Sequence, residues 1–461
     1  MKRAIVSIIL SVCICLTAAS DNISTDSIDA LCDSISIMNL DVVTVTARSP
    51  EAVVTAEKIS YTPAATLSGS GGNIYDTLSS LPGVTADSKG SISVNGQQGV
   101  GITIDGRKSI LSGDALHNYL KSLPSANVDR IEIISAPSAR QDASGTATVI
   151  NIRMKRVSDE GFTLGLNGDG RMWKARRGLG NLFAGYTRGS HRLSLTYASM
   201  AARYPSVLTT DRPYADTHRR MVQHYDRRRK DLMHNASLSY DCHNGRAFTF
   251  GASLAANLYT RREHAVMNTT VPSADIPVVT DNNTRFHTRN IFGNLYLRHT
   301  AARPESDITL NLDFFNYRNS ERQSMTDNMD TDIDGDMGGT TSGYVGAIDF
   351  RHTLSGHWHI SGGLRCSYVT MDNDGRYSEQ TSAADALGSD FKYSENVNAA
   401  YGEGGARYGR LTATMGLRIE QTNLSTVFSG NEATARTDDS DNAAQLFPSV
   451  SLSLEASGGN N

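Results

Sequence analysis

From about residue 157 onward, the chain is a succession of segments in which every second residue is apolar or small and the residues between are polar or charged. In "RLTATMGLRIEQ", Leu411, Ala413, Met415, Leu417 and Ile419 share one face, while Arg410, Thr412, Thr414, Arg418 and Glu420 share the other. Side chains alternate across a strand, so a period of two predicts strands with one oily and one wet face. The same period recurs in "HRLSLTYAS", "HNASLSYD", "AFTFGASLAANLY", "DITLNLDFFNY", "GYVGAIDFRH" and "WHISGGLRCSYV". Short polar turns at residues 243–246 and 354–357 alternate with long polar stretches at 204–230, 261–289, 320–341 and 372–394.

That alternation of connections decides between two β architectures. A soluble sandwich has two-faced strands as well, but long connections repeated at one end only are the habit of outer-membrane barrels. The expectation is an antiparallel transmembrane β-barrel whose strands of about ten residues are apolar toward lipid and joined by long external loops. Tyr259, Phe292, Tyr317 and Tyr368 fall near strand ends, where an interfacial girdle belongs. Forty glycines and 18 tyrosines against 11 prolines suit such a sheet.

The N-terminus reads as an export signal. Lys2 and Arg3 precede an apolar run over residues 4–16, and Thr17, Ala18 and Ala19 are small enough for cleavage, which predicts a signal peptide over 1–19. The run is shorter than the ~20 residues that span a bilayer. Val12 and Ile14 ahead of Cys13 and Cys15 are too bulky for lipoprotein processing. Cys32, Cys242 and Cys366 are then left, an odd and scattered set that outlines neither a disulfide framework nor a zinc site. A net charge of -4 gives no electrostatic case for nucleic acid.

Residues 20–40 are polar and acidic and read as a flexible lead segment. Asp41, Val42, Val43, Thr44, Val45, Thr46 and Ala47 follow as a β-branched run able to add to another protein's sheet edge, or to start the next domain. Residues 48–156 then predict a small α+β domain. Ile74, Leu78 and Leu81 make a helical stripe stopped by Pro82 and Gly83; "SISVNG" and "VGITIDGRK" read as a hairpin around Gln97, Gln98 and Gly99. Asp114 is placed to cap a second helix carrying Leu116, Leu120 and Leu123 and closed by Pro124. Two strands separated by a loop close the domain in "RIEIISAPSARQDASGTATVINI".

None of these loops carries recognisable chemistry. "APSARQDASG" lacks the clustered glycines and Lys-Ser pair of a phosphate loop and the Gly-x-Ser-x-Gly of a nucleophile elbow. "DTDIDGD" over residues 330–336 has the early carboxylates and the glycine of a calcium loop, but Thr341 replaces its closing glutamate, so an acidic external loop is the better reading. His352, His357 and His359 lie near one another without further ligands. No catalytic residue, cofactor or metal site is read, and the chain is not expected to be an enzyme.

The export signal, the extended "DVVTVTA", the α+β domain and the alternating strands together resemble a TonB-dependent outer-membrane receptor of Gram-negative bacteria. "NIYDTLSSLPGV" resembles the first plug helix, "ITIDGRK" a plug strand, and "RIEIISAPSARQDASGTATVINI" the last plug segment; "LFPSVSLS" is a barrel fragment. The resemblance implies TonB binding at residues 41–47, a plug over 48–156 and a partial outer-membrane barrel over 157–461. It implies outer-membrane lipid and a small external ligand, whether iron chelate, glycan or peptide, as further partners. Where the family commonly has Arg-Gly, this chain has Asn95-Gly96 and Ser135-Ala136, so Arg107, Arg130, Glu132 and Arg140 become the candidates for plug–barrel contact. Related barrels have about 22 strands against about 12 countable here, and "EASGGNN" lacks a terminal aromatic strand, so a truncated, non-transporting form is the alternative expectation.

Overall fold

The computed structural model describes residues 52–454, except 55–57, 64–72, 88–90, 106, 109–112, 124, 126–127, 135–147, 155–159, 173–174, 215–218, 245–246, 271–276, 302–305, 355–356, 380–386 and 431–435. The signal, the lead segment, residues 41–47 and the "APSARQDASG" loop therefore lie outside the described residues, as does the C-terminal "EASGGNN".

The first portion is α+β. Its elements are β1 (Ala52–Val54), β2 (Lys58–Tyr61), α1 (Ile74–Ser79), β3 (Val84–Ala86), β4 (Ile92–Val94) and β5 (Gly101–Ile104), then β6 (Arg107–Lys108), α2 (Gly113–Ser122), β7 (Val128–Ile134) and β8 (Val149–Met154). Helix α1 starts where Asn73 Oδ1 accepts the Asp76 amide at 2.8 Å, satisfying one of the free donors of the first turn. It ends ahead of Gly83, whose φ of 76° turns the chain. The expected stripe of Ile74, Leu78 and Leu81 is buried, against Leu120, Val128, Ile131, Ile150 and Ile152. Strands run in the order β1-β2-β7-β8-β5-β6, with β5 and β8 parallel.

Two local expectations are corrected. The hairpin around Gln97 does not form: β4 pairs with β3 in a separate two-stranded sheet, and β5 joins the larger sheet beside β8. Asn95 (φ 50°) and Gly96 (φ 81°) make a tight turn that closes on a single Val94–Gln97 bridge, so the chain leaves the turn without a second strand beside β4. Helix α2 begins at Gly113, which puts Asp114 inside the helix instead of ahead of it.

Glu132, on β7, is almost fully buried among groups of this same portion. Its carboxylate accepts from Lys58 Nζ at 2.6 Å and Asn151 Nδ2 at 2.6 Å, with Arg130 Nε at 3.2 Å and Arg153 Nε at 3.3 Å. Burial alone would raise its pKa, but the bonds from Lys58 and Asn151 and the charges of Lys58 and Arg153 outweigh it and hold the group down at about 2.

The second portion is a twelve-stranded antiparallel sheet in strict sequence order. Its strands are β9 (Gly161–Met172), β10 (Arg176–Arg188), β11 (His191–Tyr214), β12 (Arg219–Asn244), β13 (Phe248–Thr270) and β14 (Val278–Thr300). They continue as β15 (Asp307–Asp327), β16 (Asp332–Thr353), β17 (Trp358–Glu379), β18 (Leu387–Tyr408), β19 (Leu411–Gly430) and β20 (Arg436–Leu454). The sheet is open, with β9 and β20 at its edges. Among the described residues no helix is long and apolar enough to cross a membrane.

Strand length departs from expectation. Strands β11 to β18 run 21 to 26 residues, and the polar stretches assigned to long loops are for the most part paired strand. Residues 204–214 pair with 219–229, for example, so the ladder continues through chain that is wet on both faces. The apolar outward face occupies only part of each strand. On β13 it comprises Phe248, Phe250, Leu254 and Leu258, roughly 34 Å along the strand and about 25 Å across a bilayer once tilted. Beyond it the same face carries Arg262 and His264.

Some of the many glycines serve this face. The Phe314 ring lies over Gly293 on the neighbouring strand, so tightly that a β-carbon there would collide with it, and Tyr296 covers Gly251 in the same way on the inner face.

The Glu132 network generates a pH dependence. A carboxylate whose pKa is depressed by folding contributes stability that is present above its unfolded value of 4.5 and lost as pH falls toward about 2. Amide protection factors in β7 and β8 are expected to fall across that interval, and Glu132→Gln is expected to flatten the dependence while costing about 1–3 kcal/mol at neutral pH.

Candidate functional site

The two helices of the α+β portion present a polar edge to the inner face of the sheet. Asp76, in the first turn of α1, has its carboxylate 3.5 Å from Arg177 of β10, and Arg177 reaches 3.1 Å to Asp169 of β9. The Arg177 side chain is only 11% exposed but that of Asp76 is 44% exposed, so this link between the two portions is partly screened by solvent. Lys121, in the last turn of α2, is within electrostatic reach of Asp76 and of Arg177, Arg229 and Asp231 on the sheet. Burial pushes its ammonium below the usual lysine range, and Asp76 works against that shift. Its Nζ stands 5.6 Å from the centroid of the Tyr75 ring, and Tyr75 meets His117 edge-on at 4.2 Å.

Opposite these helices the wall is built from arginine, tyrosine and asparagine. Arg229 bonds Asp231 at 2.8 Å and the Tyr259 hydroxyl at 2.9 Å, and lies 5.9 Å from the Tyr204 ring centroid. Asn290 donates to Asn257 at 3.0 Å and Asn257 to Asn235 at 2.6 Å, a ladder across three strands. Arg261 pairs with Glu321 at 3.7 Å and Arg227 with Glu263 at 3.8 Å. The apolar part of the seam is small: the Tyr119 ring lies tilted against Phe292 with centroids 5.4 Å apart, and Phe292 and Tyr317 rest against the helical core. Such a surface offers many hydrogen-bond donors to a polar or anionic ligand.

The residues expected at this seam are distributed differently. Residues 41–47 and Arg140 lie outside the described residues, and Arg107 opens β6 with its side chain likewise undescribed. Arg130 and Glu132 bond within the α+β portion, Arg130 also lying 3.8 Å from Asp129. Asp76, Tyr119 and Lys121 face the wall instead. Their sequence signal was faint, because polar positions off a helical apolar stripe read as solvated until the opposing wall is known.

Asp327 accepts the Met329 and Thr331 amides in a tight turn, and the chain re-enters strand at Asp332, so most of residues 330–336 is strand instead of an external loop. Among the described residues no group of three His, Cys, Asp or Glu side chains is placed to hold a metal ion.

Two family matches fall on the two portions. Residues 46–149 match the TonB-dependent Receptor Plug Domain, and residues 299–461 match the Outer membrane protein beta-barrel family. The chain carries a TonB-dependent receptor plug and outer-membrane barrel strands. No curated protein matches it in sequence. Among solved structures it is similar to the ferric yersiniabactin uptake receptor FyuA from Yersinia pestis, at 11% identity and a TM-score of 0.40, over 85% of this chain and 79% of that one. The ferric-catecholate import receptor Fiu from E. coli K12 matches at 12% identity and a TM-score of 0.39, over 85% and 80%. The alcaligin outer membrane receptor FauA from Bordetella pertussis matches at 14% and 0.40, over 87% and 84%.

Plug and barrel wall thus meet through a polar seam with Arg177 at its centre. Arg177→Gln is expected to loosen the plug helices by about 1 kcal/mol, read as roughly fivefold faster amide exchange in α1 and α2 with no change in β13 and β14.

Proposed function

We propose that the chain is an energy-coupled outer-membrane receptor. An external ligand binds the wall and the plug apex, TonB pairs with Asp41 to Ala47, and force delivered there displaces the plug so that the ligand passes. The observation that carries this reading is the nature of the seam. The plug has its own apolar core around Ile74, Leu120 and Ile131, whereas its described contacts with the wall are chiefly ionic and aromatic. A body with a private core and a polar interface can move without unfolding. The ligand class that suits the wall is small and rich in acceptors, as an iron chelate, glycan or peptide is; no resident cofactor or catalytic group is invoked.

The open sheet favours a second reading, a surface protein that does not transport, because an unclosed β20–β9 edge leaves no sealed pore. Heat-modifiable migration on a gel separates the two: a closed barrel migrates anomalously before boiling and an open sheet does not.

A proline has no amide to donate and so breaks strand addition. Val43→Pro or Val45→Pro is expected to abolish binding of the N-terminal segment to purified TonB and to abolish uptake, with the amount of protein in the outer membrane unchanged. Normal uptake in either variant would overturn the TonB assignment.

A further inference from the structure

On the outward face of the wall, β17 and β18 form a ridge beside a trough. Ile360, Leu364 and Tyr368 stand out from β17, and the Phe350 ring leans from β16 over Gly362 to fill the gap between the first two. Opposite Ile360, Gly362, Leu364 and Tyr368 in register, β18 carries Gly404, Gly402, Ala400 and Asn396. A β-carbon on Gly402 or Gly404 would meet nothing within 4 Å, so the trough is open along both glycines.

Farther out the same two strands turn polar. Thr370 lies opposite Ser394, and Asp372 opposite Lys392. Tyr344 and Tyr368 share one row with Asn396 and Asn423, and the next row toward the apolar band holds Asn398 and Gln421. Tyrosines of an interfacial girdle mark the membrane boundary, so these amides stand at the border of the hydrocarbon, where a lipid tail offers them no bond. Both the shape and the chemistry of the face are self-complementary. A two-fold axis along the membrane normal, between β17 and β18, lays the ridge of one copy in the trough of the other and reverses each row. Ile360 then meets Gly404 of the second copy, Leu364 meets its Ala400, and Lys392 meets its Asp372. An amide both donates and accepts, so Asn396 can bond the hydroxyl of the second copy's Tyr368. Lys392 already lies 3.5 Å from Asp372 within its own chain, and the axis repeats that pairing twice across the contact. Asp374 and Asp390, opposite one another one step farther out, would face like charges and so set the upper limit of the contact.

We propose that the chain forms a two-fold dimer through the outward faces of β17 and β18, a second copy of the chain being the occupant of the trough. From Trp358 to Asp372 the face is about 46 Å long, and over β16 to β19 about 19 Å wide, a footprint of roughly 900 Å². A stable interface needs about 800 Å² from each partner. The inference rests on membrane residence alone and is independent of whether the chain transports a ligand.

The test uses the full chain in neutral detergent and in phosphatidylcholine nanodiscs, with mass read by native mass spectrometry. The unaltered chain is expected to be dimeric in both. Stacked sheets lie about 10 Å apart, which places the two copies of Cys366 about 11 Å from one another. A bismaleimide of that span is expected to join two chains, Cys366→Ser to abolish the product and Cys242→Ser to keep it. Gly404→Leu fills the trough and is expected to weaken association at least about tenfold. Lys392→Asp and Asp372→Lys each set like charges across the axis and are expected to weaken it by about the same factor. An equal mixture of those two variants is expected to recover a heterodimer, because each supplies the other's counter-charge. A monomeric unaltered chain, a cross-link that survives Cys366→Ser, or a mixture that stays monomeric would each overturn the proposal. Association undiminished in Gly404→Leu would overturn it as well, by pointing to the β9 and β20 edges. The mixture of charge variants decides the matter even where Gly404→Leu fails to insert.

Discussion

Hydrocarbon contains nothing that can bond to a peptide group, so a chain that crosses it with strands must pair every amide and carbonyl with another strand. The register of β9 to β20 follows from that requirement: eleven consecutive antiparallel pairings, each strand bonded to the next in sequence. Side-chain placement is a consequence of the ladder and not an independent design choice. Once pairing fixes which residues alternate inward, the outer face must be oily over the depth of the bilayer, and the inner face is free to carry Arg229, Tyr259 and the asparagine ladder. The open edges at β9 and β20 mark where the same requirement demands a further partner, whether each other or additional strands.

The plug obeys different physics. It has water-soluble architecture, with a core of Ile and Leu, a capped helix and one strongly stabilised carboxylate in Glu132. Its attachment to the wall runs through Arg177, whose two carboxylate partners belong one to each portion. The plug's stability and its attachment are therefore governed by separate residues, so each can be altered without the other.

Much of this was legible in the sequence where one side chain face differs from the other. The apolar faces of Leu411 to Ile419 and of Ile74 to Leu81 were read correctly, because each face sees one solvent. The strand extensions were missed for the converse reason: above the bilayer both faces are wet, the period of two vanishes, and paired strand such as residues 219–229 has the composition of a loop. The β4–β5 hairpin was misread because alternation does not say which strand lies alongside. Arg203, Lys230 and Arg262 are far apart in the chain and become neighbours only through register.

The long paired strands also determine how such a wall can change over time. Inward positions above the membrane sit on a lattice, about 6.8 Å apart along a strand and about 4.8 Å between strands. A single-residue insertion in such a strand would turn every following side chain to the opposite face. The chemistry of this wall therefore changes by exchanging residues at fixed lattice points, with length changes confined to the short connections at the rim.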